Sequence, residues 1–494
     1  MRIIGNAGKA REVQAVASGA LSTGDAVVVN SDGTVSAAAL ENVTQANGSR
    51  TAFNATRTNW TSSAFDSLNN KVVIAYRNQD DSEHGYAVVG TVSDTSISFG
   101  TPVKFNAGNS EYISIVYDAN AQKVVICYTD ASNSDYGTAI VGTVSGTSIS
   151  FGTEVVFVSS TARFVSAVYD SNSNKVVIAY VNSSYWGKAI VGTVSGTSIS
   201  FGAENGYQSS RVDHPTVGFD STNNKAVIMF SDDGNGNYLT GIVATVSGTG
   251  ISFGSKVSSG FATYENNSSI DIAFDSANGK IVVVTQSDAS PNKPTALVAT
   301  VSGTSLSFGS PVTINTNLTT GQMRVVYDSV AGKINVFYAD RTSDDDLVYN
   351  VGTVSGTGIS FGSKITLIAA TTAFDRPYDY PAVTYDSNQQ RVIYSYMIGY
   401  SINTNRIGES IVIRNAASIP NLTSENYIGT AASGAPSGQG SKINIKGAVD
   451  ESQSGLTAGQ SYYVQTDGTL STTAGDPSVF AGTAVAATKL IVKG

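Results

Sequence analysis

The chain has 494 residues, only 14 % of them charged against about 25 % in ordinary globular domains, and a formal net charge of −9. A field of that sign offers phosphates no purchase, which excludes nucleic acid as a partner. The single cysteine, Cys127, excludes a disulfide framework and reads as a buried, inert thiol, and no run of about 18 apolar residues predicts membrane insertion.

In chain order, residues 1–45 read as a small β module. Residues 14 to 39, VQAVASGALSTGDAVVVNSDGTVSAA, hold a short apolar strand, an Asp-Gly-Thr hairpin turn and a second strand. The preceding residues have no apolar stretch of signal-peptide length, so synthesis in a cytosol is expected. Residues 46–418 carry a repeat. An aromatic-Asp pair recurs at Asp66, Asp118, Asp170, Asp220, Asp275, Asp328 and Asp386, followed five residues on by Lys71, Lys123, Lys175, Lys225, Lys280, Lys333 or Arg391 and an apolar strand. The anchors stand 52, 52, 50, 55, 53 and 58 residues apart. A period of this size with only strand signals inside belongs to propeller blades of four strands each. The predicted fold is therefore all-β: a seven-bladed β-propeller flanked by small β modules from both termini.

The third copy shows the expected strands: ARFVSAVYD, KVVIAY, KAIVGTVS and TSISFGTEVVF. The TVSGTSISFG block appears six times, starting near Thr91, Thr143, Thr193, Thr245, Thr300 and Thr353. It supplies the tight turn between strands three and four. The seventh copy lacks it, so GSRTAFNATRTNW, from Gly48 to Trp60, is expected to complete the last blade and leave no open edge. Residues 419–494 form a C-terminal module in which QSGLTAGQSYYVQTDGTLSTTA repeats the outline of residues 14 to 39. The two ends are expected to build one small β domain or two similar lobes.

Propeller geometry sorts the connections by face. Turns joining strands one to two and three to four are nearly uniform, whereas those joining two to three, and four to the next blade, vary. A uniform face reads as structure and a variable one as recognition. Each anchor Asp with its basic partner fits either a calcium or anion site or a turn whose carboxylate accepts backbone N–H bonds while the basic residue pairs across it. Calcium needs six to eight oxygens, more than one Asp with Ser and Asn supplies, so the anchors are assigned to turns and no metal or cofactor is expected.

In or beside the variable loops Tyr86, Tyr136, Tyr185, Trp186, Tyr238, Tyr349 and Tyr400 are interleaved with Asp and Asn. Rings beside hydroxyl-bonding groups suit sugars, and also protein interfaces. Of the connections nearest the axis, FDRPYDYP is the densest, with Asp375, Arg376, Tyr378, Asp379 and Tyr380. Its carboxylates with Glu111, Arg163 or Arg211 offer a glycosidase alternative, yet the Ser-x-Asp-x-Gly-x-Thr-Trp boxes of many sialidases are absent. His84 and His214 lie in different copies without neighbouring ligands at metal spacing. With no P-loop, GxSxG or dinucleotide fingerprint either, no residue is assigned a catalytic role.

The terminal segments ASGALSTGDAVVVNSDGTV, ENYIGTA and GAVDESQSGLTAGQSYYVQTDGTLSTT, with the final GTAVAATKLIVKG, resemble the β modules of tailed-bacteriophage virion proteins, especially tail and fibre proteins of marine phages. The resemblance covers the ends of the chain and not the repeats. It implies a non-enzymatic structural protein of the virion whose terminal modules dock to other virion proteins and display the propeller toward a host surface polysaccharide. Symmetric virion positions further imply a homo-oligomer. Two other functions fit: a purely architectural tail or capsid-decoration protein, and a glycan-cleaving depolymerase.

Overall fold

A computed structural model of the chain describes residues 11–264, 270–290, 292–317, 319–341, 346–369, 379–398 and 407–493. It divides into two compact units, Gln45–Asn415 and the combination of Met1–Thr44 with Ala416–Gly494.

Among the described residues of Gln45–Asn415 the strands form two nine-stranded and three five-stranded antiparallel sheets, in which a four-strand set recurs with each anchor; Arg163–Asp170, Lys175–Val181, Trp186–Ser195 and Ser198–Phe201 make the third such set. Innermost strands neighbour one another in chain order and the last neighbours the first, so the sets close into a ring, a β-propeller. Second strands such as KVVIAYV are buried on both faces by the adjoining sets, which is why they run apolar without alternation. The outermost SISF strands alternate buried and open positions, because only one of their faces is covered.

Each anchor Asp ends an inner strand opposite the basic residue that opens the next, as Asp170 lies opposite Lys175. Its carboxylate organises the turn between them. Asp170 Oδ1 accepts the N–H groups of Asn172 and Ser173 at 2.9 and 3.0 Å, and Asp220 also accepts the Asn223 amide at 2.8 Å. The last turn residue is Asn, Gln or Gly, with φ near +55° at Asn174 and +60° at Gly279, a conformation that Gly and Asn adopt readily. The expected pairing across the turn is corrected. Among the described residues no anchor Asp forms an ion pair with its own Lys or Arg; the buried carboxylates are used by backbone donors, and Arg391 reaches Asp94 instead.

The last set is completed from the start of the ring: Ala46–Asn47 and Thr51–Asn54 pair with Ile407–Arg414. Thr58–Asp66 is already the inner strand of the first set, so the segment that begins at Gly48 is shared between the two ends. At this seam Asp94 stands where the other five tight turns carry Gly, and it receives Arg391 at 2.7 Å and Arg414 at 3.1 Å.

The second unit holds two five-stranded sheets of identical strand order. One runs Glu12–Val16, Gly440–Asn444, Tyr427–Ala431, Ala26–Val29, Val35–Ala37; the other runs Val449–Asp450, Lys489–Val492, Val479–Ala486, Ser461–Val464, Leu470–Ser471. The repeated sequence outline is thus a repeated fold with a repeated turn. Asp32 accepts the N–H and hydroxyl of Thr34 at 2.9 and 2.6 Å, and Asp467 those of Thr469 at 3.0 and 2.6 Å. The first sheet draws on both ends of the chain. Between its two parts the chain runs out and back along a ladder of Leu40–Val43 with Ala417–Pro420.

Candidate functional site

The inner strands surround a cavity of about 330 Å³. Six residues before an anchor, the inner strand shifts register: between Asn59 and Ser62, Glu111 and Ser114, Arg163 and Ser166, Asp213 and Thr216, and Asp379 and Ala382. The bulges carry Trp60, Tyr112, Phe164, His214 and Tyr380, all with φ between +48 and +51°. That backbone costs a residue with a side chain about 1–2 kcal/mol, and ring packing is available to offset it. Ring centroids follow one another around the channel, Tyr380 to Trp60 at 4.2 Å, Trp60 to Tyr112 at 4.4 Å, Tyr112 to Phe164 at 5.0 Å and Phe164 to His214 at 4.8 Å.

Two residues further on, polar side chains lace five of the inner strands to the next. Ser62, Ser114 and Ser166 accept the N–H groups of Ile115, Ala167 and Val217 at 3.2, 3.0 and 3.1 Å. Asp271 does the same for Val325 at 2.9 Å, and Arg324 Nε donates to the Pro381 carbonyl at 2.7 Å. Burial raises the Asp271 carboxyl above its ordinary pKa, against the pull of Arg324. Burial also holds the His214 imidazole below its ordinary value, against the pull of Asp213. A histidine depressed in the fold takes up a proton more readily when unfolded, so stability is retained above about pH 6.5 and declines as pH falls from there through the folded value. In His214→Phe this part of the decline is expected to vanish, as read from unfolding midpoints between pH 7 and 5; an unchanged decline would refute the assignment.

The variable loops bring other groups together. Tyr185 takes φ +61° and two guanidiniums stand near its ring, Arg163 at 5.5 Å and Arg211 at 4.8 Å from the centroid. Arg163 also donates to the Tyr185 hydroxyl at 3.1 Å, while Arg211 pairs with Asp213 at 2.9 Å. Trp186, paired in register with Arg211, is 44 % exposed, and Tyr238 on the next set is 37 % exposed. Tyr86 donates to Asp81, which also meets His84 at 3.1 Å and Lys104 at 2.8 Å. Tyr136 opens its strand half-buried.

Tyr349 is a correction. It is fully buried, stacked on Phe337 at 5.2 Å, with its hydroxyl donating to Asn47. It stands within the strand Asp346–Ser355 and, unlike the other described rings of the group, belongs to a core cluster. Asp375, Arg376, Tyr378 and Tyr400 lie outside the described residues, and Asp379 is described only as the first residue of the strand Asp379–Asp386.

A second cavity, of about 350 Å³, lies where the second and third sets meet. It joins Glu111, Thr129 and Asp135 of one set to Arg163 and Tyr185 of the other, and shares Tyr112 and Phe164 with the aromatic belt. Burial, with Glu111 adding to it, pushes the Tyr112 hydroxyl up to about 12, so it stays a neutral donor. The belt itself escaped the sequence reading. Its signal was position rather than residue type, six places before every anchor, where the sequence reads Trp60, Tyr112, Phe164, His214, Ser269, Gln322 and Tyr380.

Neither a protein-family model nor a curated protein matches the chain. Among solved structures it is similar to the BP39L lectin from Burkholderia pseudomallei, with a TM-score of 0.53 and 10 % identity over 74 % of this chain and 99 % of the lectin. AofleA from Arthrobotrys oligospora matches 70 % of this chain and 96 % of its own, at a TM-score of 0.41 and 10 % identity. At such identity the first likeness speaks for the fold alone.

Proposed function

We propose that the chain is a non-enzymatic structural protein of a tailed-phage virion that adheres to host-surface glycans through the variable face of its propeller. The observation that carries the adhesive half is the cluster around Tyr185: a ring with the Arg163 and Arg211 guanidiniums near it, beside the half-exposed Trp186 and the carboxylate of Asp213. Flat apolar faces bordered by fixed charged donors and acceptors are what binding a polyhydroxylated ring requires. The lectin likeness agrees with this reading, and the resemblance of the terminal segments to phage modules supports the virion half.

An array of bacterial surface polysaccharides, probed with the purified chain, tests the adhesive half. Trp186→Ala and Arg211→Ala are expected to lower binding at least tenfold, with Lys225→Ala on the uniform face as an unaffected control. Binding that ignores both substitutions, or no binding at all, would sink it. Deleting the terminal segments tests the virion half, because docking through them predicts loss of the protein from particles.

A further inference from the structure

The sets are not equivalent where they meet, and one residue position differs between the first two junctions. Eleven places after each anchor, at the end of the second strand, stand Arg77, Thr129, Val181, Ser231, Gln286, Ala339 and Met397. At the first junction Arg77, only 8 % exposed, fills the space: it donates to Asn59 at 2.7 Å and Asn109 at 2.9 Å, and pairs with Glu111 at 3.0 Å. At the second junction the same place holds Thr129, whose short side chain turns its hydroxyl to the Ala162 carbonyl. The 350 Å³ cavity described above lies at this junction, with Thr129 in its lining.

We infer that this cavity is a binding site for a single neutral pyranose, a reading that rests on the glycan adhesion proposed above and gives it an address. Its walls are chemically opposed. Glu111 and Asp135 of the second set offer acceptors; Arg163 and the Tyr185 hydroxyl of the third offer donors; Tyr112 and Phe164 add ring surface. Acceptors facing donors suit neighbouring hydroxyl groups, and rings suit the C–H face of a sugar. Arg163 in the lining and Arg77, which pairs with Glu111 at 3.0 Å and lies 3.9 Å from Glu83, offset the two carboxylates, so the site holds no excess of positive charge to select an acidic sugar. Its volume falls at the small end of ligand cavities, about 300–1,000 Å³, which favours one ring over a chain. Because Tyr112 and Phe164 also belong to the belt, the remainder of a longer glycan would leave across the channel mouth.

The test is calorimetric titration of the full chain with the methyl α-pyranosides of glucose, galactose and mannose, and with glucuronate as the charged probe. Saturable binding of at least one neutral probe at one site per chain is expected. Thr129→Gln, which lengthens the side chain as Gln286 does in the fifth set, is expected to weaken binding at least tenfold, and Tyr185→Phe to weaken it without altering the melting temperature. Neutral-probe binding that survives Thr129→Gln but is lost in Trp186→Ala would overturn the cavity and leave the adhesive reading intact. An array-positive chain that binds none of the neutral probes would do the same. Preference for glucuronate would overturn the neutral-sugar assignment, and failure on both array and titration would overturn cavity and adhesion together.

Discussion

Phe53→Ala is expected to destabilise the propeller by about 3–5 kcal/mol, the cost of truncating a buried phenylalanine. Phe53 lies on the strand that the beginning of the ring donates to its last set, and it packs on Tyr76 and Phe99 of the first set with ring centroids at 5.3 and 6.0 Å. The ring lies directly on Gly408, where a Cβ would come within 2.4 Å of it. Gly408→Ala is therefore expected to cost about 2–3 kcal/mol through overpacking. The two effects share one contact, so in the double variant the clash has no partner and the second substitution becomes nearly free. Urea unfolding of the four proteins measures this. Strictly additive losses would show that the seam is not held by this ring.

Asp170→Ala is expected to cost about 2–3 kcal/mol, because it strips the N–H groups of Asn172 and Ser173 of a charged acceptor inside a turn. Asp170→Asn keeps a carbonyl oxygen in place and should recover most of that loss. Lys175→Met should change stability by less than about 0.5 kcal/mol, since the lysine has no ion pair with Asp170 to lose. Thermal and urea unfolding separate these outcomes. A Lys175→Met loss as large as that of Asp170→Ala would restore the ion-pair account of the repeated motif.

The architecture was legible because the same physical demand recurs at every set. A carboxylate is needed wherever an inner strand turns, and Asn, Gln or Gly wherever the last turn residue takes a left-handed backbone, so the period survives in residue type. The role of the basic partner was misread, since sequence proximity of Asp and Lys says nothing about where a long side chain points. Tyr349 follows a variable loop in sequence and so reads with its exposed aromatics, yet strand pairing extends back to Asp346 and the ring is buried. The aromatic belt was hidden for the opposite reason. Trp60, Tyr112, Phe164 and His214 share a place and a strained backbone but not an identity, and only alignment on the anchors would have shown the column. The cavity at the second junction is lined by a short side chain, Thr129, where the first junction has Arg77, a contrast that shows only when the two places are compared.

The ladder of Leu40–Val43 with Ala417–Pro420 has a consequence for how such a protein changes over time. Leu40 faces Pro420 and Val43 faces Ala417, so the outgoing and returning strands stand about 5 Å apart, the ordinary separation of paired strands. Any closed fold whose two ends lie that near each other could be spliced in at this point without disturbing the duplicated sheets that flank it. The chain thus leaves and re-enters the terminal unit at a single point, and a lineage could exchange the inserted propeller by a single recombination event while keeping both five-stranded sheets.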